Sequence, residues 1–160
     1  MSRLGENMLS RDIDWFCRIE GYLCHFASNG SKLPNFVANS WLIRRTQDVA
    51  AELPIIFEES ELRINENYRR ELQELEGFNE QQYYESFKFF ASKGFYSFDY
   101  EWDRGGEGGE YRLIVGPGSR IINPELENLI EYLPPVSLER VSERDRLMFE
   151  RILNQIRRIE

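Results

Sequence analysis

The sequence is poor in the residues that build metal sites and disulfide frameworks, and it lacks a long hydrophobic run. Its 160 residues include two cysteines and one histidine. Two cysteines cannot make a disulfide framework, and a zinc site would need Asp or Glu to complete its ligands. No apolar stretch approaches the roughly 20 residues that cross a bilayer. We therefore expect no metal, no cofactor and no membrane association.

The amino-terminal residues MSRLGENMLSRD are charged and do not contain the apolar core of a secretion signal. A cytoplasmic location is the expectation that follows. Hydrophobic residues make up 41% of the chain and aromatic residues 14%, so the chain can bury a substantial core and need not be disordered. No stretch has the composition of an interdomain linker. We predict a single domain over residues 1–160.

Acidic residues outnumber basic residues by 28 to 20, which gives a net charge of −8. Residues 52–110 hold 15 Asp and Glu against 6 Lys and Arg, a net of −9, whereas the remainder holds 13 against 14, a net of +1. This segment would repel nucleic acids and anionic membranes and attract a basic protein. The predicted contact residues are four acids at helix positions that we expect to be exposed: Glu66, Glu71, Glu74 and Glu76. The alternative is a solvated acidic surface that only aids solubility.

Alternation and turn residues predict two hairpins, one in residues 14–27 around Glu20-Gly21 and one in residues 95–116 around the connector DRGGEGG. Residues 54–65 are expected to hold one or two short strands. Helical spacing and capping residues predict helices that begin at Asn39, Asn65, Asn79, Asn123 or Pro124, and Ser142. The predicted fold class is α+β, a single domain in which helices pack on an antiparallel sheet built from hairpins.

The first hairpin contains both cysteines and the histidine. A two-residue turn places Cys17 opposite Cys24 on an entirely apolar face, whereas a three-residue loop with a bulge would shift the pairing by one residue. We favour the first register because it preserves the hydrophobic pattern. His25 then lies opposite Phe16 on the other face, where we expect partial exposure. A Cys-His nucleophilic pair is disfavoured, and both thiols are predicted to be buried and reduced.

Candidate catalytic groups are limited to carboxylates. Asp99 and Glu101 are two residues apart on a predicted strand, so they share a face and could act as general acid and base. A chain with 28 acids also produces such pairs by chance. The glycine-rich DRGGEGGEYR lacks the lysine and the spacing of a phosphate-binding loop, and its acids would repel phosphate. The sequence therefore favours a non-enzymatic protein over an enzyme.

Four aromatic residues alternate along the same strand: Tyr96, Phe98, Tyr100 and Trp102. Such a stripe is usually core, and we expect it to pack under the helix that carries Tyr83 and Phe90. It could instead form a stacking platform for a sugar or a base, with Tyr96, Tyr100 and Trp102 as binding residues. The interleaved acids disfavour single-stranded nucleic acid as the ligand.

The segments RDIDWF, ASNG and YYESFKFFASKGFYSFD resemble small uncharacterised proteins of Bacteroides-type gut bacteria. The resemblance covers most of residues 10–115. It implies a bacterial protein, and it carries no motif of known chemistry from which an active site could be transferred.

Three functions are consistent with these patterns. The favoured one is a small acidic non-enzymatic interaction protein that binds a basic protein partner, as toxin-immunity proteins do. The alternatives are a small hydrolase that uses Asp and Glu for acid-base chemistry, and an aromatic-lined ligand-binding domain. An acidic outer face, a carboxylate-lined cleft and an open aromatic groove are the structural features that distinguish them.

Overall fold

The computed structural model describes residues 12–120 and 133–160. Its strands are β1 (Asp14–Ile19), β2 (Tyr22–Ala27), β3 (Arg63–Ile64), β4 (Tyr96–Trp102), β5 (Gly109–Gly116) and β6 (Pro135–Val136). Its helices are α1 (Ser40–Glu52), α2 (Glu66–Gln73), α3 (Glu80–Ser92) and α4 (Glu143–Ile159), with a 3-10 turn at Glu59–Glu61. Both predicted hairpins are present. The predicted helix that begins at Asn123 or Pro124 lies outside the described residues.

A polar residue caps the amino-terminal end of each of the four described helices, as the sequence predicts. Each capping side chain accepts a hydrogen bond from a backbone N–H in the first turn, which would otherwise lack a partner. The capping residues are Asn39, Asn65, Asn79 and Ser142. The starts of the described helices were therefore readable from local sequence.

The six described strands form one mixed sheet in the order β3-β5-β4-β2-β1-β6. The pairs β1–β2, β4–β5 and β3–β5 are antiparallel, but β2–β4 and β1–β6 are parallel. The prediction of an antiparallel sheet built only from hairpins is therefore wrong. The chain passes through α1, α2 and α3 between β2 and β4, and such a crossover lets neighbouring strands run in the same direction. Turn signals determine pairing within a hairpin but not the direction in which two hairpins join.

The register of the first hairpin is the predicted one. Glu20 and Gly21 have φ angles of 49° and 80°, the left-handed conformation that a two-residue type I′ turn requires. Cys17 pairs with Cys24, and Phe16 pairs with His25. Both cysteines are free and 0% exposed, and burial raises the pKa of both thiols. Low thiolate content and lack of access make these thiols core residues and poor nucleophiles.

Helices cover both faces of the sheet. α4 packs through Phe149, Ile152 and Ile156 on the face that contains Phe26 and Phe98. α1, α2 and α3 cover the opposite face. The central strand β2 is consequently buried at all six of its residues. Among the helices in the described ranges, none combines the length and the apolar character that a membrane crossing requires.

The aromatic stripe of β4 faces α4, not the helix that carries Tyr83 and Phe90 as expected. Tyr96 and Phe98 belong to the core beneath α4, whereas Ser97 and Asp99 make their hydrogen bonds to α3. Alternation correctly placed the aromatic residues on one face. Which helix covers that face depends on the path of the crossover, which the strand sequence does not contain.

Two side chains close the outer edge of β5 beyond the two-residue strand β3. The Gln155 amide donates to the Tyr111 carbonyl at 2.9 Å and accepts from the Leu113 N–H at 2.8 Å. The Asn65 amide donates to the Leu113 carbonyl at 2.9 Å. These bonds occupy edge groups with which a further strand would pair.

A buried lysine joins α1 to the end of α3. Lys93 is 3% exposed, and its Nζ donates to the carbonyls of Ala50 at 3.2 Å and Ala51 at 2.7 Å. These carbonyls lie in the last turn of α1, which contains no basic residue of its own. Burial lowers the pKa of Lys93. The ammonium group satisfies carbonyls at the negative end of the α1 dipole.

Replacing Lys93 with Met should lower the free energy of unfolding by about 2 kcal/mol, because two hydrogen bonds from a buried charged group are lost. Urea denaturation followed by circular dichroism measures this loss as a lower midpoint at unchanged slope. Lys88→Met is the matched control, since Lys88 lies on α3 but its ammonium group forms an outer ion pair with Glu59 and a cation–π contact with Tyr84 and does not bond to α1. Equal midpoints for the two variants would show that Lys93 does not stabilise the end of α1.

Candidate functional site

His25 joins three strands in a row with an acid and a serine. Its Nε2 lies 2.8 Å from Asp14 Oδ1 on β1, and its Nδ1 lies 3.0 Å from Ser97 Oγ on β4. These residue types are those of a Ser-His-Asp hydrolase. Ser97 is 0% exposed, however, and its hydroxyl donates to the Phe87 carbonyl at 3.2 Å. A substrate cannot reach this hydroxyl, so the row satisfies buried polar groups and stabilises the sheet.

The expected partial exposure of His25 is wrong. Its side chain is 0% exposed because α3 lies over it, with the ring centroids of Phe90 and Phe87 at 4.4 and 5.9 Å. Strand register determined its partners, but only the packing of α3 determines its burial. Across residues 12–120 and 133–160, no three His, Cys, Asp or Glu side chains form a group that could hold a metal.

Asp99, one of the two predicted catalytic residues, lies partly buried beneath α3. Burial raises its pKa to about 6, and the hydrogen bond that Tyr83 donates to Asp99 Oδ2 at 2.6 Å opposes this rise. The charges of Asp12 and Asp14 contribute to this raised pKa. Asp14 and Asp99 both pair with Ala27, so they flank it in one row across the sheet. The spacing along the sequence suggested Glu101 as the neighbour of Asp99 and did not reveal Asp14.

Glu101, the other predicted catalytic residue, is held by Arg112 on the neighbouring strand. Arg112 Nη1 lies 2.9 Å from Glu101 Oε2, and Arg112 Nη2 lies 3.5 Å from Glu71 Oε2. Asp99 and Glu101 contact different partners. Two concavities of about 360 and 500 Å³ lie beside α4, and neither carboxylate lines them.

The four acids predicted to meet a partner are all exposed. Glu66 forms an ion pair with Arg69 at 3.4 Å, and Glu71 contacts Arg112. Glu74 and Glu76 form no ion pair with any described residue. They flank Leu75, which is 58% exposed. Helix α2 ends at Gln73, so Leu75 leaves the helical stripe.

An apolar patch lies where the chain after α1 runs beside the end of α3. It consists of Ile55, Ile56 and Phe89, which are 65%, 38% and 44% exposed. The N–H groups of Ile56 and Phe57 donate to the Ser92 carbonyl at 2.8 and 3.0 Å, which fixes this segment against α3. The patch is therefore held in place by the backbone.

Tyr96, Tyr100 and Trp102 have different environments along β4. Tyr96 is 2% exposed, and its hydroxyl donates to Glu160 Oε1 at 3.0 Å. Tyr100 is partly buried and Trp102 is 40% exposed, and both line a groove of about 360 Å³ beside α4. The stripe thus passes from core to surface along its length. Of the three predicted binding residues, Tyr100 and Trp102 are accessible to a ligand.

Sequence analysis missed the apolar patch and a row of three arginines on α4, Arg144, Arg151 and Arg158. The arginine row has a sequence signal, since residues seven apart lie on one side of a helix. The patch has a weaker one, the apolar pair Ile55-Ile56 directly after Pro54. Neither signal shows from sequence whether another part of the chain covers the residues.

The stability contribution of Asp99 should depend on pH. Its pKa rises from the ordinary value of 3.8 to about 6 in the folded protein, so its contribution is full below about pH 4 and is lost as pH rises through about 6. Asp99→Asn cannot ionise. Its free energy of unfolding relative to the wild type should rise by about 2 kcal/mol between about pH 4 and about pH 7. Urea denaturation across this range measures the difference, and a pH-independent difference would contradict the buried carboxyl.

No protein-family model matches the chain, and neither a curated protein nor a solved structure matches it.

Proposed function

We propose that this protein is a non-enzymatic interaction protein whose α1–α3 side binds a basic protein partner. The observation that carries the proposal is the apolar patch on a strongly acidic side of the molecule. Protein interfaces commonly combine an apolar centre, from which water is excluded, with a polar rim.

The patch fits the centre of such an interface. Its three side chains are among the most exposed large apolar residues in the described ranges. Grouped apolar exposure on a soluble protein marks an interaction site more often than single exposed residues do. Because the Ser92 carbonyl fixes the segment, a partner would meet a preformed surface and lose little conformational entropy in ordering it.

Carboxylates form the rim of the patch. Glu52 ends α1 three residues before Ile55, Glu58 follows Phe57, and Glu85 lies one turn before Phe89 on α3. All three acids are exposed, and they form no ion pair with any described residue. They belong to the segment 52–110, whose net charge is −9. A partner with a basic rim would be complementary, and its encounter would be accelerated by the field of this side.

The hydrolase alternative has less support. Asp99 is hydrogen-bonded to Tyr83, Glu101 is paired with Arg112, and Ser97 is inaccessible beneath α3. A binding function requires none of these groups to be free, whereas acid-base catalysis requires access to a substrate.

Capture experiments with the immobilised chain test the proposal. The wild type should retain a basic protein from a lysate of the source cells, and the double variant Ile55→Asp, Phe89→Ser should lose it. The expected loss in affinity is at least about 30-fold, as for removal of a central contact worth about 2 kcal/mol. The retained protein is identified by mass spectrometry, purified and measured by surface plasmon resonance.

Leu147→Asp is the matched control, since Leu147 is 51% exposed but lies on α4, on the other side of the sheet from the patch. Equal loss in both variants, or retention by the double variant, would contradict the patch as the binding surface. The association rate should also fall as salt shortens the Debye length from about 10 Å at 0.1 M to about 3 Å at 1 M. Reversal of Glu66, Glu71, Glu74 and Glu76 to Lys should slow association if the interface extends to α2.

A further inference from the structure

A groove runs along α4, on the side of the sheet opposite the apolar patch. Two concavities of about 360 and 500 Å³ flank α4, and Glu110 and Arg151 line both of them. Because they share these two residues, we call the two neighbouring concavities together the α4 groove; their lining extends from Trp102 to Asn65. Each concavity has the volume of a typical small-molecule site.

Three arginines of α4 follow the groove: Arg144, Arg151 and Arg158. Seven residues are about two helical turns, so neighbouring members of the row lie about 10 Å apart on one side of α4. All three are exposed, and none is within ion-pair distance of an acid in the described ranges. Arg157, next to Arg158, is instead paired with Glu20 at 3.1 Å. The three arginines of this row are therefore free, although the net charge of the chain is −8. Each guanidinium group can donate two hydrogen bonds to one carboxylate, so the row can bind carboxylates that have the same spacing as the arginines.

One end of the groove is aromatic. The rings of Tyr100 and Trp102 are 5.1 Å apart at 72°, and the Trp102 indole N–H donates to the Asn29 carbonyl at 2.9 Å. Gly109 permits this arrangement, because a Cβ at that position would lie 2.8 Å from Tyr100 Cε1. Leu147, 51% exposed, lies on the same end. Fixed, partly exposed aromatic rings provide flat apolar surface for a ring-shaped ligand.

The residues around the groove disfavour two classes of polymeric ligand, a strand-forming peptide and a nucleic acid. A strand-forming peptide would need the open edge of β5, but Gln155 and Asn65 already occupy its backbone groups. A nucleic acid carries a phosphate on every unit, and four acids, Glu66, Glu107, Glu110 and Asp145, line the groove together with the arginines. A chain with spaced negative charges and many hydroxyl groups avoids both conflicts. Its hydroxyls can donate to these carboxylates while its acidic groups meet the arginines.

We infer that the α4 groove binds an acidic oligosaccharide, with its carboxylates on the row Arg144, Arg151 and Arg158 and one sugar ring against Tyr100 and Trp102. This site lies on the other side of the sheet from the apolar patch and is independent of the proposed protein partner.

A hyaluronan hexasaccharide is a suitable probe because its carboxylate-bearing rings alternate with neutral rings. Isothermal titration calorimetry should give a Kd below about 1 mM for the full chain. Arg151→Gln, which alters the residue shared by both concavities, should weaken binding about tenfold, as for loss of a charge-assisted hydrogen bond. Arg157→Gln is the matched control on the same helix and should leave the Kd unchanged. Chitohexaose, a neutral chain of equal length, should bind more weakly.

Four outcomes would overturn the inference: no binding of the hyaluronan probe at about 1 mM, equal Kd values for Arg151→Gln and Arg157→Gln, equal affinity for chitohexaose, or tighter binding of an oligothymidylate. Circular dichroism of each variant establishes that it is folded. The variant Ile55→Asp, Phe89→Ser should bind the hexasaccharide like the wild type, so a failure at one surface is distinguishable from a failure at the other.

Discussion

The parallel pairing of β2 with β4 is the interaction on which the rest of the structure depends. This pairing joins the first hairpin to the second. Along both strands, side chains point alternately into the core beneath α4 and into the core beneath α1 and α3. Phe26 pairs with Phe98 on the α4 side, with ring centroids 5.1 Å apart. His25 pairs with Ser97 on the α3 side. Because all six residues of β2 are buried, a shift of this pairing by one residue would exchange the contents of both cores.

Burial on both faces places polar groups inside the protein, and His25, Asp99 and Lys93 each have partners there, whereas the buried Tyr84 hydroxyl has none among the described residues. The His25 ring lies between Asp14 and Ser97, Asp99 accepts from Tyr83, and the Lys93 ammonium contacts the last carbonyls of α1. An unpaired polar group in such positions would cost more than its hydrogen bond contributes. These contacts therefore allow an imidazole, a carboxyl and an ammonium group to lie inside the packed protein.

The two layers of helices give the molecule two chemically different sides. The α1–α3 side contains the apolar patch together with the exposed acids Glu52, Glu58 and Glu85. The α4 side contains a row of free arginines beside exposed aromatic rings. The two proposed binding surfaces lie on opposite faces of the sheet, because α4 covers one face and α1, α2 and α3 cover the other.

Local sequence determined the features that rest on neighbouring residues. The two-residue turn at Glu20-Gly21 and strict alternation defined the register of Cys17 and Cys24, and side-chain caps defined the starts of the helices. It also identified Tyr100 and Trp102 as possible ligand contacts. These features depend on backbone conformation and spacing along a few residues, which the sequence contains directly.

Tertiary packing decided the direction of the β2–β4 pairing, the burial of His25, and which aromatics of β4 remain accessible. It also left Ile55, Ile56 and Phe89 uncovered and brought Arg151 beside Glu110 in the α4 groove. Each of these depends on a helix that meets a strand from far along the chain. Alternation shows that residues share a face, but the free energy of packing whole elements determines which element covers that face and which residues stay in water.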